Sequence, residues 1–320
     1  MDVLMEVKNL KKYFPVETDL LGRVTQCVKA VDDVSFQIMK GETLGLVGES
    51  GCGKTTIGRM LVHLLQPTGG EVFFDGRNLS KLSRREQREY CKYIQIVFQD
   101  PYSSLNPRMT IGDIIAEPIR VNKLAKGPEL EARVVKLLDC VGLASYQRNR
   151  FPHEFSGGQR QRVGIARALA VNPKLIVCDE PVSALDVSIQ AQVLNLLKDL
   201  QKEFNLTYLF IAHGLNVIKH ISDRVGVMYL GKIMEIADGE SLYREPKHPY
   251  TQALLSAIPV PDPKKKKDKI LLTGDVPNPI NPPAACRFNT RCRFCMDVCR
   301  EKEPELKEHE NGHKVACHLY

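Results

Sequence analysis

Eight consecutive residues, Gly48-Glu49-Ser50-Gly51-Cys52-Gly53-Lys54-Thr55, constrain this chain more than any other stretch. They match G-x-x-x-x-G-K-[ST], the spacing of a loop that wraps phosphate groups. The run before them, Thr43 to Val47, is mostly apolar and strand-sized, and Gly53 to Leu65 reads as a helix. Strand, glycine turn and helix in that order are what distinguish a phosphate cradle from an ordinary turn. The glycines let backbone N–H groups turn inward. The helix N-terminus adds partial positive charge. Lys54 is spaced to reach β- and γ-phosphates, with the Thr55 hydroxyl on Mg²⁺ and Thr56 beside it in the same turn.

A metal held by one hydroxyl needs an acidic partner. Leu175-Ile176-Val177-Cys178 is a short apolar run that ends in Asp179-Glu180. A strand of this kind beside the first would aim Asp179 at Mg²⁺ and leave Glu180 to polarise an attacking water as general base. Residues 5–47 alternate apolar and polar positions in short runs, such as 24–28 and 34–38, which reads as antiparallel strands. Leu130, Val134, Leu137, Leu138 and Val141 recur at helical spacing, as do Ile189, Val193, Leu196, Leu197, Leu200 and Phe204 before a strand at Tyr208–Ile211. Strand–helix–strand order predicts an α/β protein with a parallel sheet.

Composition narrows the class. The 320 residues are 43% hydrophobic, enough for about two domains. The net charge of +7 is spread thinly, its only dense run being Lys264 to Lys267, and Trp is absent. That argues against a dedicated nucleic-acid binder. No stretch approaches the roughly 20 apolar residues of a membrane span, and Met1 to Glu6 lacks a secretory pattern. A cytoplasmic chain is expected, carried to any membrane by another polypeptide. Prolines crowd 245–285, which reads as a largely extended surface linker, with the four lysines as a solvated segment.

Phosphate loops serve many enzymes, and the discriminating segment is Phe155-Ser156-Gly157-Gly158-Gln159-Arg160-Gln161-Arg162. It is a second anion cradle at a helix start, predicted over Gln159–Ala170. It resembles the signature of the ATP-binding cassette (ABC) superfamily, with Phe155 in place of the usual Leu. The resemblance implies a P-loop cassette with a parallel-sheet core, an antiparallel β subdomain and a helical subdomain near 101–160, the whole cassette spanning about 1–244. It also implies ATP sandwiched between two chains, so that Ser156, Gly157, Gly158 and Gln159 act on the partner's nucleotide. Other motifs follow in family order. Gln99 matches the glutamine loop that touches Mg²⁺ or the attacking water, Ser183-Ala184-Leu185-Asp186 the loop coupling two ATP sites, and His213 the switch histidine that senses the γ-phosphate. Phe14, with Tyr13 beside it, falls where the family stacks an aromatic on adenine. Gly214 departs from the Asp usual after the switch histidine. Within the superfamily the chain is most similar to ATP-binding subunits of dipeptide/oligopeptide importers. The residues behind this are Asp100 to Pro107, Phe151 to Phe155, Val227 to Gly231 and His248-Pro249-Tyr250-Thr251. Gln159 and Ile165 to Leu169 look like the second, F-type subunit.

Five of ten cysteines fall in the tail, residues 286–320. Cys286, Cys292, Cys299 and Cys317 are soft thiolate donors suited to tetrahedral Zn²⁺ or an iron–sulfur cluster, and spacing alone does not separate them. Cys295 is a possible substitute ligand, and His309, His313 and His318 keep a mixed Cys/His zinc site open. The importer resemblance implies a [4Fe–4S] cluster there, structural or regulatory. The same resemblance implies a second ABC ATPase subunit, membrane permease subunits at the cytoplasmic face and, indirectly, an extracytoplasmic solute-binding protein. Nucleic acid is not expected. A soluble ABC ATPase acting on nucleic acid through a zinc module, or an importer of nickel or sugar, are the alternatives.

Overall fold

The computed structural model describes residues 2–19, 22–258 and 268–320. Two long strands open the chain, β1 (Val3–Thr18) and β2 (Val24–Met39), paired antiparallel with Val7 opposite Phe36. In β2 the even positions Val34, Phe36 and Ile38 do not cover the same face as the residues between them: Ser35 is exposed and Gln37 half-buried. This is the period of two seen in the sequence. The runs 24–28 and 34–38 belong to one strand, not two. Repeated register shifts in the β1–β2 ladder, with Asn9 and Asp33 in the left-handed region, bend the pair without breaking it.

The chain then enters the wholly buried β3 (Thr43–Val47), the phosphate-type loop and α1 (Lys54–Leu61). α1 stops short of residue 65 because His63 turns left-handed, at φ 59°. β4 (Gly69–Phe74) and β5 (Arg77–Asn78) complete a four-stranded antiparallel sheet ordered β2-β1-β4-β5. After α2 (Arg84–Cys91) and β6 (Ile94–Val97) come α3 (Ile111–Val121), α4 (Gly127–Cys140) and α5 (Gly157–Leu169). β7 (Leu175–Asp179), α6 (Val187–Phe204), β8 (Thr207–Ile211), α7 (Leu215–Ile221), β9 (Arg224–Tyr229) and β10 (Lys232–Asp238) follow. β3, β6, β7, β8 and β9 run parallel. β3, β7 and β8 are buried along their whole length, as a sheet covered on both faces requires.

The proline-rich stretch corrects the linker reading. α8 (Gly239–Arg244) leads into α9 (Pro249–Ser256), whose Tyr250 is fully buried. Pro249 stands in the first helical turn, where a missing N–H costs nothing, and the His248 ring caps the helix by accepting the Tyr250 N–H at 3.0 Å. Residues 268–285 are without helix or strand. Lys264 to Lys267 lie outside the described residues. The tail adds α10 (Val298–Glu301), β11 (Lys307–Glu308) and β12 (Lys314–Val315). β12 pairs antiparallel with β10, Val315 opposite Glu235, which extends the main sheet to eight strands ordered β11-β12-β10-β9-β3-β8-β7-β6. The cysteine-rich tail is therefore stitched to the sheet edge.

Candidate active site

The loop after β3 is shaped by glycines at two contacts. A Cβ on Gly48, whose φ is 153°, would stand 2.2 Å from the Met228 carbonyl oxygen, and one on Gly53, at φ 106°, 2.1 Å from that of Ala30. Only glycine lets the loop press against both. Lys54 is buried at 3% exposure and its Nζ donates to the carbonyls of Gly48 (2.8 Å) and Glu49 (3.1 Å). These carbonyls hold the Lys54 ammonium at the centre of the cradle.

The acidic strand is not the immediate neighbour of β3: β8 lies between β3 and β7. The side-by-side expectation fails, yet the contact it was meant to explain is present. The Thr55 hydroxyl donates to Asp179 Oδ1 at 2.8 Å. α1 spans the gap because Gly58 has no side chain. A Cβ there would meet Ile211 of β8 at 2.9 Å and Val177 of β7 at 3.0 Å. Burial pushes the Asp179 carboxyl above its ordinary range, against the pull of the Thr55 hydroxyl, Arg59 and Lys54. A hydroxyl beside a buried carboxylate is an oxygen donor pair that fits a hard divalent cation.

Glu180, the residue after β7, is in the left-handed region, at φ 50°. That conformation is uncommon for a non-glycine residue and marks functional turns. Its carboxylate is 4% exposed and is held from two sides. Gln99 Nε2 donates to Oε2 at 2.7 Å, and His213 Nε2 lies 2.6 Å from Oε1. Lys54, Thr55, Gln99, Glu180 and His213 border one cavity of about 250 Å³, together with Ser50, Gly51 and Thr56. Five predicted residues scattered over 160 positions thus meet at the C-terminal ends of parallel strands, where such sheets bind ligands.

Other predicted residues stand apart from this cavity. Ser156 and Gln159 close a capping box at the start of α5: Gln159 N–H donates to Ser156 Oγ at 3.3 Å and Ser156 N–H to Gln159 Oε1 at 3.0 Å. The Ser156–Gln159 turn does not border the cavity within this chain. Tyr13 and Phe14 are also separated. Tyr13 donates its hydroxyl to Asp32 at 2.5 Å, which occupies it, whereas the Phe14 ring is 37% exposed with Lys12 Nζ 5.1 Å from its centroid. Gly214 caps α7 with no side-chain acceptor, and a Cβ there would meet nothing within 4 Å.

Three residues packed behind the loop carried no chemical signal of their own in the sequence. Tyr250 Oη accepts the Glu49 N–H at 3.0 Å, Arg291 holds the Glu49 carboxylate at 2.9 Å, and Arg287 pairs with Asp32. Their only hint was the residue string around His248 and the tail motif.

All ten cysteines are free thiols. Burial first, and then the neighbouring Cys299, Cys317 and Cys292, push the Cys286 thiol up to about 12. Burial likewise raises Cys292 and Cys317. The four predicted donors are therefore neighbours, with Cys295 beside Cys292. Among the described residues, however, no group of three or more His, Cys, Asp or Glu side chains is arranged to hold a metal ion. Two of the three histidines of the mixed Cys/His alternative are engaged elsewhere: His313 sits 2.6 Å from Glu235 and His318 2.9 Å from the Lys302 carbonyl, while His309 packs on Tyr320.

Comparison with known proteins agrees with this geometry. A family model described as ABC transporter matches residues 31–183, and one described as oligopeptide/dipeptide transporter, C-terminal region, matches 234–299. YkfD of Bacillus subtilis is 58% identical over 320 residues, covering 99% of this chain and 95% of that protein. The oligopeptide transport ATP-binding protein AppF of the same organism is 55% identical over 322 residues, covering 100% and 98%. OppF of Haemophilus influenzae, an oligopeptide transport ATP-binding protein, is 52% identical over 321 residues, covering 99% and 97%. Among solved structures, the dimeric ATP-binding cassette MJ0796 bound to ADP and Pi matches with TM-score 0.65 at 29% identity, covering 73% of this chain and 98% of that one. The cbiO1 protein of Clostridium perfringens, part of an ABC transporter complex, matches with TM-score 0.66 at 26% identity, covering 77% and 92%.

Proposed function

Because the chain belongs to the ABC transporter family of ATP-binding proteins, we propose that it is the ATP-hydrolysing subunit of an oligopeptide importer. The observation that carries the chemistry is the Glu180 carboxylate, fixed between Gln99 and His213 at the mouth of the Lys54 loop. ATP enters with its triphosphate on the backbone of residues 48–55, and Phe14 offers an exposed ring for the base. Lys54 leaves the Gly48 and Glu49 carbonyls for the β- and γ-phosphates. Thr55 and Asp179 are the residues that would hold Mg²⁺, which supplies charge neutralisation on the phosphate oxygens. Glu180 takes the proton of the attacking water, Gln99 orients that water, and His213 contacts the γ-phosphate.

The capping-box turn at Ser156–Gln159 lies off this cavity, so we assign it to the nucleotide of a second cassette, a homologous or identical subunit. Nucleotide binding then joins two cassettes and hydrolysis separates them. No helix among the described residues is long and apolar enough to cross a membrane. Permease subunits, with this chain at their cytoplasmic face, are therefore part of the proposal. So is indirect service to an extracytoplasmic solute-binding protein. We place the cassette at about 1–244, its helical subdomain at about 101–160, and the coupling to the membrane partner on Pro101 to Asn149 with the glutamine loop. The similarity to AppF and OppF supports peptide cargo and the F-type position.

Glu180→Gln tests the mechanism. It keeps the shape and the Gln99 contact but cannot accept a proton. Hydrolysis should fall by about 100-fold or more, with MgATP binding retained and a dimer trapped in gel filtration. Hydrolysis at the parental rate overturns the assignment of the base. For the tail we propose a [4Fe–4S] cluster on Cys286, Cys292, Cys299 and Cys317. The thiol chemistry and the mutual neighbourhood of these residues support it, and Zn²⁺ is the competing ion. Anaerobic purification should give a brown protein with about four iron per chain. A colourless protein with stoichiometric zinc overturns it.

A further inference from the structure

The segment from Cys286 to Cys292 carries two arginines, and both reach far back along the chain. Arg291 is 9% exposed. Its Nη1 donates to the two Glu49 carboxylate oxygens at 2.9 and 3.2 Å and to the Tyr229 hydroxyl at 3.4 Å, a contact across 242 residues for Glu49. Arg287, 5% exposed, pairs with Asp32, which fastens the other end of the same segment. Phe288, between them, packs at 5.3 Å on both Tyr229 and Tyr250. Tyr250 in turn accepts the Glu49 N–H.

Glu49 is the second residue of the phosphate loop, and it is tied at three points. Its carboxylate meets Arg291, its N–H meets Tyr250 and its carbonyl meets Lys54. The carboxylate is the awkward group. An anion in the loop that must take up a triphosphate opposes binding, and at partial burial that opposition is poorly screened. Arg291 cancels it with a guanidinium delivered from the tail. Arginine suits the role because a single guanidinium nitrogen, Nη1, reaches both carboxylate oxygens and the group does not lose its proton.

We propose that Arg291 is a positioning residue for the nucleotide site. It neutralises Glu49 and, with Tyr250, fixes the first half of the phosphate loop, so that the conformation of the cysteine segment sets the affinity for MgATP. This deepens the reading of residues 48–55 as the ATP loop and rests on it. It also gives the thiol-rich tail a route to the ATPase. Cys286 and Cys292 flank the two arginines, so whatever fixes or frees those cysteines moves the clamp on Glu49.

The test is a titration of the full chain with a fluorescent MgATP analogue. Arg291→Gln should raise Kd about tenfold, within the usual range of coupling between sites. Arg291→Lys, which keeps the charge, should stay within about threefold of the parent. The decisive variant is Arg291→Gln combined with Glu49→Gln. With no carboxylate left to neutralise, it should recover at least about threefold of the lost affinity, which a merely structural role for Arg291 does not predict. Should Arg291→Gln fail to fold, rescue of folding and binding by the added Glu49→Gln reads the same coupling, and failure of that rescue overturns the proposal. Binding by Arg291→Gln within twofold of the parent, or a double variant as weak as the single one, also overturns it. Lys54→Ala separates the two layers. If it binds the analogue like the parent, the ATP-loop reading itself falls. If it abolishes binding while Arg291→Gln does not weaken it, only the positioning role falls.

Discussion

His248 offers a pH test whose size follows from its surroundings. The ring is 1% exposed, packs 5.7 Å from the Phe288 ring and accepts the Tyr250 N–H through Nδ1. Burial lowers its pKa from 6.5 to about 4, and the nearby Glu235 opposes this only in part. Glu235 itself is engaged by the Lys247 and His248 N–H groups and by His313. The folded pKa lies below the unfolded one, so between those values the unfolded chain binds the extra proton. The contribution of neutral His248 is complete above pH 6.5 and is lost as pH falls toward 4. At pH 5 the loss is about 2 kcal/mol from this shift. At roughly 2.1 cal/mol/K of unfolding entropy per residue, that is a fall in Tm of about 3 °C for a chain of this length. The perturbation is His248→Asn, which retains a capping acceptor but carries no titrating proton. Thermal melts of parent and variant, without nucleotide, at pH 7.5 and 5.0 isolate the residue from other titrating groups. The parent's drop in Tm should exceed the variant's by about 3 °C. Equal drops would refute the buried-neutral state of His248. The consequence reaches the active site, since α9 starts at this cap and carries Tyr250, the partner of the Glu49 N–H.

Two further substitutions check the loop and the switch region. Gly48→Ala puts a methyl 2.2 Å from the Met228 carbonyl at a φ of 153°. It should abolish nucleotide binding and cost about 2 kcal/mol or more of stability in thermal melts; a variant with parental binding and Tm contradicts the close approach. Gly214→Asp restores an acceptor at an extended N-cap with open space around it. It should stabilise α7 by a few tenths of a kcal/mol and leave hydrolysis within about twofold, whereas a loss of Tm would show that the glycine is required.

The strand–turn–helix form of the loop at 48–55 was legible because its chemistry is local. Strand, three glycines, lysine and threonine sit within a dozen residues, and backbone sterics allow few other arrangements. The acidic pair was legible for the same reason, as the polar end of an apolar strand. Its neighbour was not. Sequence order offers no rule that β8 inserts between β3 and β7, and the Gly58 contact that lets Thr55 reach across is a long-range packing fact. The proline-rich stretch misled for a specific reason. Proline forbids a helix interior but favours a helix start, and Pro249 follows a histidine whose capping role shows only in three dimensions.

The tail shows where reading from spacing stops. Cysteine intervals name donors, not a geometry, and the four thiols are neighbours without forming a metal-holding group. What the spacing hid was the pair of arginines inside it. Arg287 and Arg291 look like solvated charges in a basic chain, and the ordinary expectation for arginine is exposure. Burying a guanidinium is costly unless a carboxylate meets it, and the only way to learn which carboxylate is to fold the chain. Asp32 and Glu49 lie 255 and 242 residues upstream, Asp32 on β2 and Glu49 in the loop after β3. A charge pair of that span links the last part of the chain to its most constrained eight residues. The tail is stitched to the sheet by β12 and clamped to the loop by Arg291, and on the reading proposed above it is part of the nucleotide site together with the loop's own glycines.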